Sequence, residues 1–277
     1  MEQPTEKLTA LIDGDIITYS CGFAAQRTLY SVQYEAEDGT PIEIDCEDGY
    51  EARKCADEVD GEIAKTVVAE PLQNALNNVN TLMERIREAT HATDRRVFLT
   101  GIDNFRERIF PEYKANRPPI KPVHYFPIRQ FLIRRYGAEV IDGQEADDAM
   151  GINQSYNTII CTRDKDLDMV PGLHYNWHKD EVYYVTDLEG TRAFYKQLIK
   201  GDTTDNIPGL FKLRKKRASK KMLEEIDKMD QDKDMWEFVK SLYGPDTPEE
   251  ILVRNGRLLH MRREEGEMWE PPTGEDK

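Results

Sequence analysis

Apolar and polar positions alternate along this chain in a pattern that predicts an open α/β sheet. Four short β-branched runs read as buried strands: Leu8–Ile12, Val97–Thr100, Glu139–Ile141 and Thr158–Thr162. Leu29–Tyr34 and Pro41–Ile44 alternate around the turn residues 37–40 and predict a β-hairpin. Leu173–Trp177 and Val182–Val185 predict a second one, turning at residues 178–181. Leu72, Leu76, Val79, Met83 and Ile86 keep helical spacing within Pro71–Ala89. Further helices are expected over Ile16–Phe23, Tyr50–Val59, Thr191–Lys200 with Gly201 as its cap, Met235–Tyr243 and Pro248–Met261, with a frayed tail from Pro271.

All four runs lead into acids. The first enters Asp13-Gly-Asp15, the second Gly101-Ile-Asp103, the third passes through Asp142-Gly to Glu145-Ala-Asp147-Asp148, and the fourth enters Asp164-Lys-Asp166-Leu-Asp168. In an open α/β sheet, ligands bind beyond the carboxyl ends of the strands. Two carboxylates about 4 Å apart repel by roughly 4 kcal/mol at an effective dielectric near 20. Convergent acids therefore need cations, and hard oxygen donors suit Mg²⁺ or Mn²⁺. One Asp after one strand is commonly a turn or cap residue; four such ends together favour one site. A calcium loop at Asp164 is excluded, because its sixth and twelfth positions hold Met169 and Tyr175. On an ideal helix Glu145 and Asp148 share a face, and Asp147 points elsewhere.

The chain has 277 residues and a net charge of −15. Such a charge argues against nucleic acid only at long range, since local sites are set by local charge. The positive charge is clustered. Phe105–Arg135 interleaves eight Arg and Lys residues with aromatics, a pattern suited to a single strand, although Phe126 and Phe131 are expected in the core. Lys212, Arg214, Lys215, Lys216, Arg217, Lys220 and Lys221 put seven cations into ten positions. The four cysteines show neither a CxxC pair nor zinc spacing and are expected as reduced thiols in a cytoplasmic protein. The polar start predicts no signal peptide, and no apolar run is long enough for a membrane span.

Five motifs together resemble the 5′-nuclease family: Asp13-Gly-Asp, Pro111-Glu-Tyr-Lys-Ala-Asn-Arg117, Glu145-Ala-Asp-Asp148, Thr162-Arg-Asp-Lys-Asp166 and Lys200-Gly-Asp-Thr-Thr-Asp-Asn-Ile-Pro-Gly209. The likeness is nearest to exonucleases of short-tailed phages and runs from residue 8 to 261. It implies a PIN-like α/β fold: a mostly parallel sheet with flanking helices and a helical, helix-hairpin-helix-like DNA-binding region. The expected division is a catalytic domain over 1–190 and the DNA-binding region over 191–277.

The resemblance implies two Mg²⁺ ions, with Mn²⁺ able to substitute. They would be shared among Asp13, Asp103, Glu145, Asp147, Asp148, Asp164, Asp166, Asp202 and Asp205. Lys114 and Arg117 match the family's cations at the scissile phosphate, and Tyr113 sits where some members stack a base. The implied partner is DNA with a duplex 5′ end, nick or flap, with an RNA/DNA hybrid as a further substrate. The enzyme would act as a monomer in the cytoplasm, that of the host cell if phage-encoded. Two departures stand out. Leu210-Phe-Lys-Leu-Arg replaces the family's Gly-x-Gly hairpin, and the segment after Arg117 is short and proline-rich where many members carry a helical arch. The rival readings are a PIN-type ribonuclease and a non-catalytic structure-specific DNA binder.

Overall fold

A computed structural model describes residues 7–273. The expected tail from Pro271 lies mostly outside the described residues. The described residues divide into two compact units: residues 7–16, 83–120 and 132–273, and residues 17–82 with 121–131. Among the described residues, no helix is long and apolar enough to cross a membrane.

The larger unit is built on a six-stranded sheet: β1 Thr9–Asp13, β2 Asp94–Thr100, β3 Glu139–Ile141, β4 Thr158–Cys161, β5 Gly172–Asn176 and β6 Glu181–Val185. Its spatial order is β3-β2-β1-β4-β5-β6, parallel throughout except for β6. The four strands expected from the sequence are thus adjacent, and their carboxyl ends share one edge. The order reverses between β1 and β4, which is the switch point where a crevice opens in such sheets. Leu11, Phe98, Leu99, Ile159 and Ile160 are almost wholly buried in these strands. That burial explains why the runs read as continuously apolar.

The helices after residue 186 pack in this same unit. The helix Asp187–Lys200 begins four residues before the expected start. Thr186 caps it, with Glu189 closing a capping box. The helices Asp232–Tyr243 and Glu249–Leu259 bury Trp236, Val239, Tyr243, Leu252 and Leu258 in a common core with Phe194 and Leu198.

The smaller unit holds a three-stranded antiparallel sheet in the order Pro41–Cys46, Gln26–Glu35, Glu62–Ala69. The hairpin is as expected. The third strand goes beyond the sequence pattern, because Thr66-Val-Val-Ala69 lies in a charged stretch without clean alternation. The helix Gly49–Val59 covers one face through Ala52 and Ala56 against Val32. Phe126 corrects an expectation: it is 66% exposed rather than in the core, with Lys121 5.2 Å over its ring. Residues 118–122, in the proline-rich segment, carry no helix.

One close approach fixes the loop carrying Asp202 and Asp205. Gly201 and Pro208 pair in a two-residue antiparallel ladder, with Gly201 at φ 68°. A Cβ on Gly209 would overlap the Lys200 carbonyl and the Gly201 nitrogen, both backbone atoms with little room to yield. Gly209→Ala should therefore destabilise the protein by roughly 1–3 kcal/mol, as overpacking does. Urea unfolding checks this; an unchanged midpoint would mean that the loop is not held by this contact.

Candidate metal and phosphate site

Asp13 ends β1, and its side chain does two jobs. Oδ1 accepts from the Ile16 backbone N–H at 2.9 Å, capping the next helix, and Oδ2 accepts from the Thr162 hydroxyl at 2.9 Å. The second bond ties β1 to the end of β4 across the switch point. Asp164 caps the 3-10 turn Lys165–Met169 by accepting from the Asp166 N–H. Asp15 accepts from the Thr100 N–H at 2.9 Å, holding the end of β2 against β1.

Electrostatics shows which acids converge. Burial pushes the Asp13 carboxyl up to about 7, helped by the charges of Asp15 and Asp164. Asp147 is raised well above the usual carboxylate range by burial and by Asp13, Asp164 and Glu145. Burial, Asp164 and Asp202 raise Asp166 to about 6, against a hydrogen bond from Gln197. Asp13, Asp147, Asp164 and Asp166 therefore form a chain of like charges, with Asp202 on the Asp166 side.

Glu145 and Asp205 are held differently. Burial opposes the Glu145 charge, but Lys114 and Arg106 outweigh it and lower its pKa. Glu145 accepts from Asn104 Nδ2 at 2.9 Å, from the Tyr113 hydroxyl at 3.1 Å and from Lys114 Nζ. Asp205 accepts from the same Tyr113 hydroxyl at 2.9 Å and from Arg117 Nη2. The Lys114 backbone N–H donates to the Asp205 carbonyl at 3.0 Å, which seats Lys114 at φ 57°.

An open cleft of about 760 Å³ adjoins these groups. Arg117, Asp164, Asp166, Asp202, Lys196 and Lys200 are among its lining residues. Among the described residues, no three acids already stand as a ready-made ion cage. The donor set nonetheless fits hard divalent cations. It is all carboxylate, and three of its members are raised by burial and by neighbouring acids, a penalty that a bound cation offsets.

Known proteins resemble this chain in part of its sequence and in its fold. No family model matches the chain. It is 30% identical over 147 residues to a 5′-3′ exonuclease of Buchnera aphidicola subsp. Baizongia pistaciae, covering 44% of this chain and 47% of that protein. It is 27% identical over 176 residues to the thermostable DNA polymerase I of Thermus thermophilus, covering 56% of this chain and 21% of the polymerase. The fold matches the T5 D15 protein co-crystallised with metal ions, at TM-score 0.50 and 17% identity, over 66% of this chain and 81% of that one. The T5 D15 flap endonuclease in a pseudo-enzyme–product complex with DNA and metal ions matches at TM-score 0.51 and 17% identity, over 66% of this chain and 79% of that one. The chain is thus similar in sequence to 5′-3′ exonucleases and similar in fold to the T5 D15 protein. It spans about half the length of the Buchnera exonuclease and about a fifth of the polymerase.

Several of the residues expected at the site stand apart from the cluster of like charges. Asp148 is fully buried and bound to Arg106, whose Nη1 and Nη2 both donate to its carboxylate, the latter at 2.9 Å. The Glu145 N–H and the Arg262 N–H complete its shell. Asp147, not Asp148, joins Asp13 and Asp164. Ideal-helix geometry does not apply here, because Glu145 is the cap rather than a helical residue, and Asp148 turns back to close the capping box. Asp103 is exposed at φ 62° and is not among the main charges acting on Asp13, Asp147 or Asp166; Asn104 beside it reaches Glu145 instead. Tyr113 is 5% exposed, with its hydroxyl between two carboxylates, so its ring is not a platform for a base. Asp168 accepts from the Tyr183 hydroxyl at 2.6 Å.

Arg106 is the functional residue that sequence reasoning missed. Its donors reach Asp148, the Leu258 carbonyl at 2.8 Å and the His260 carbonyl at 3.0 Å. Its sequence signal was submerged among the eight cations of Phe105–Arg135. The seven cations of the 212–221 run are all exposed, on the short helix Leu210–Arg214, the turn after it and the start of the helix Lys220–Ile226. Arg214 pairs with Asp246 and Lys220 with Glu224.

Arg106→Met would strand Asp148 as an uncompensated buried charge and should cost roughly 3–5 kcal/mol, read by chemical denaturation; a loss under about 1 kcal/mol would refute the pairing. The like-charged acids also set a pH dependence. Asp13 and Asp147 bind protons more tightly folded than unfolded, so their contribution favours the folded state at low pH and is lost as pH rises through about 7. Buried His174 and His260 have lowered pKa values and act in the opposite sense, but only below their ordinary value near 6.5. Between pH 6.5 and 8 in EDTA, Tm should therefore fall, and millimolar Mg²⁺ should reduce the fall. A Tm that is flat in pH and indifferent to Mg²⁺ would contradict the clustering of charge.

Proposed function

We propose that this protein is a divalent-metal-dependent 5′→3′ nuclease that hydrolyses phosphodiester bonds of DNA at a duplex 5′ end, nick or flap. The observation that carries the reading is the mutual charge of Asp13, Asp147, Asp164 and Asp166 at one sheet edge, with Lys114 and Arg117 on the neighbouring acids. The reading needs a single copy of the chain, because every one of these groups comes from the same unit. Similarity to 5′-3′ exonucleases and the fold shared with a flap endonuclease support it.

Asp13, Asp147 and Asp164 would hold one Mg²⁺ ion, with Glu145 beside them, and Asp166, Asp202 and Asp205 would lie toward a second. Mn²⁺ suits the same donors. When bound, such ions supply Lewis acidity to the phosphoryl group and lower the pKa of the attacking water. The chain's own groups do the rest. Lys114 and Arg117 offer cations where phosphate charge grows in the transition state. Thr162 and the Ile16 N–H fix the Asp13 carboxylate, so that little reorganisation is needed when the site is loaded. Arg106 fixes Asp148, and through the capping box fixes the start of the helix that carries Asp147, with Glu145 as its cap. The exposed cations from Lys212 to Lys221 would follow duplex phosphates, which divides the chain functionally near residue 190 although both parts pack in one unit.

The test is cleavage of 5′-labelled duplex, flap DNA, RNA/DNA hybrid and single-stranded RNA, with Mg²⁺ and with EDTA. Cleavage of the DNA substrates that stops with EDTA is expected; cleavage confined to single-stranded RNA would favour the ribonuclease reading. Asp166→Asn should lower turnover by about two orders of magnitude or more, comparable to removing a transition-state contact, while DNA is still bound. Full activity in that variant would overturn the metal assignment. Replacing Lys215, Lys216 and Arg217 with Ala should flatten the slope of log affinity against log salt by up to roughly three units, at about 0.9 per lost contact. An unchanged slope would move the duplex surface elsewhere.

A further inference from the structure

The two cations expected at the phosphate do not stand free. Lys114 Nζ rests on Glu145 Oε1 and lies 3.8 Å from Asp205 Oδ2, and Arg117 Nη2 rests on Asp205 Oδ1. The acids they hold belong to the expected metal set. Between those acids sits the Tyr113 hydroxyl, 3.1 Å from Glu145 and 2.9 Å from Asp205. A hydroxyl has one proton to donate, so it serves one of the two carboxylates fully at any moment. The other leans on its cations, Lys114 with Arg106 at 3.8 Å for Glu145, and Arg117 with Lys114 for Asp205. Glu145 and Asp205 are only 10% and 15% exposed at the side chain, so water screens the pairs weakly.

Resting on the metal reading above, we propose that Lys114 and Arg117 compete with divalent cations for Glu145 and Asp205, and that metal and substrate phosphate therefore bind cooperatively. A metal ion drawing on Glu145 or Asp205 displaces a protein cation from its partner. A phosphate offers that cation a new one. Each ligand thus relieves a cost that the other would otherwise meet alone, and by linkage the coupling is equal in both directions. The cost of displacement is that of a partly exposed ion pair. Lys114 is 27% and Arg117 45% exposed at the side chain, which makes both pairs breakable. The Tyr113 ring lies 4.9 Å beneath Lys114 Nζ and keeps the ammonium near the site as it moves between acid and phosphate.

The experiment measures Mn²⁺ binding to the full chain by electron paramagnetic resonance, with no turnover involved. Lys114→Ala should bind Mn²⁺ about two- to fivefold more tightly than the unmutated chain, the upper part of the range a partly exposed pair supports. Arg117→Ala, at a more exposed position and so safer for folding, should shift affinity in the same direction. Lys200→Ala removes an equal charge from the same cleft without an acid partner in the set, and should shift affinity less. A short 5′-phosphorylated DNA duplex should tighten Mn²⁺ binding to the unmutated chain, and should do so less in Lys114→Ala. Equal or weaker Mn²⁺ binding in both Lys114→Ala and Arg117→Ala, or a Lys200→Ala shift as large as theirs, would overturn the competition while leaving the nuclease reading intact. Absence of Mn²⁺ binding to the unmutated chain would overturn both.

Discussion

Unneutralised carboxylate charge at one edge of a parallel sheet is the constraint on which the rest of this structure depends. Asp13, Asp147 and Asp166 have raised proton affinity because burial and neighbouring acids, Asp164 among them, leave each with too little compensation. The fold holds them together at a cost in stability above neutral pH. Hydrogen bonds to the same carboxylates offset part of it: Thr162 on Asp13, the Asp166 N–H on Asp164 and Gln197 on Asp166. The second half of the site is balanced in the opposite way, with Lys114, Arg117 and Tyr113 on Glu145 and Asp205. One site therefore contains an acid group short of cations next to an acid group already supplied with them.

Arg106 joins this chemistry to the architecture. It is buried, binds Asp148 with two donors and reaches carbonyls at the end of the helix Glu249–Leu259. The C-terminal helices are thereby tied to the segment that carries Glu145 and Asp147. This contact explains why residues 191–277 pack in the same unit as the sheet even where their exposed cations suggest a separate task.

Most of the sheet was legible in the sequence because parallel strands buried on both faces read as short β-branched runs, and four of them ended in acids. The adjacency of those four ends required only the strand order β3-β2-β1-β4. Partner choice was not legible. Asp147 and Asp148 are neighbours of identical chemistry, and what separates them is a capping box and an arginine 42 residues from Asp148. Tyr113 carried the same ambiguity: an aromatic among cations reads as a stacking platform until burial places its hydroxyl between two acids. The third strand of the smaller sheet went unread because its alternation is broken by charge, and it is held by pairing with Gln26–Glu35 over eight registered positions.

Asp147, with Asp13 and Asp164, forms the cation-seeking core in this reading, and Asp103, although it lies beyond a strand of the same sheet, does not. Isothermal titration of Mg²⁺ into the unmutated chain, Asp147→Asn and Asp103→Asn separates the two acids directly. Mg²⁺ binding should weaken at least about tenfold in Asp147→Asn, a change of about 1.4 kcal/mol, and should be unaltered in Asp103→Asn. Unchanged binding in Asp147→Asn, or a loss confined to Asp103→Asn, would contradict this division of the acids.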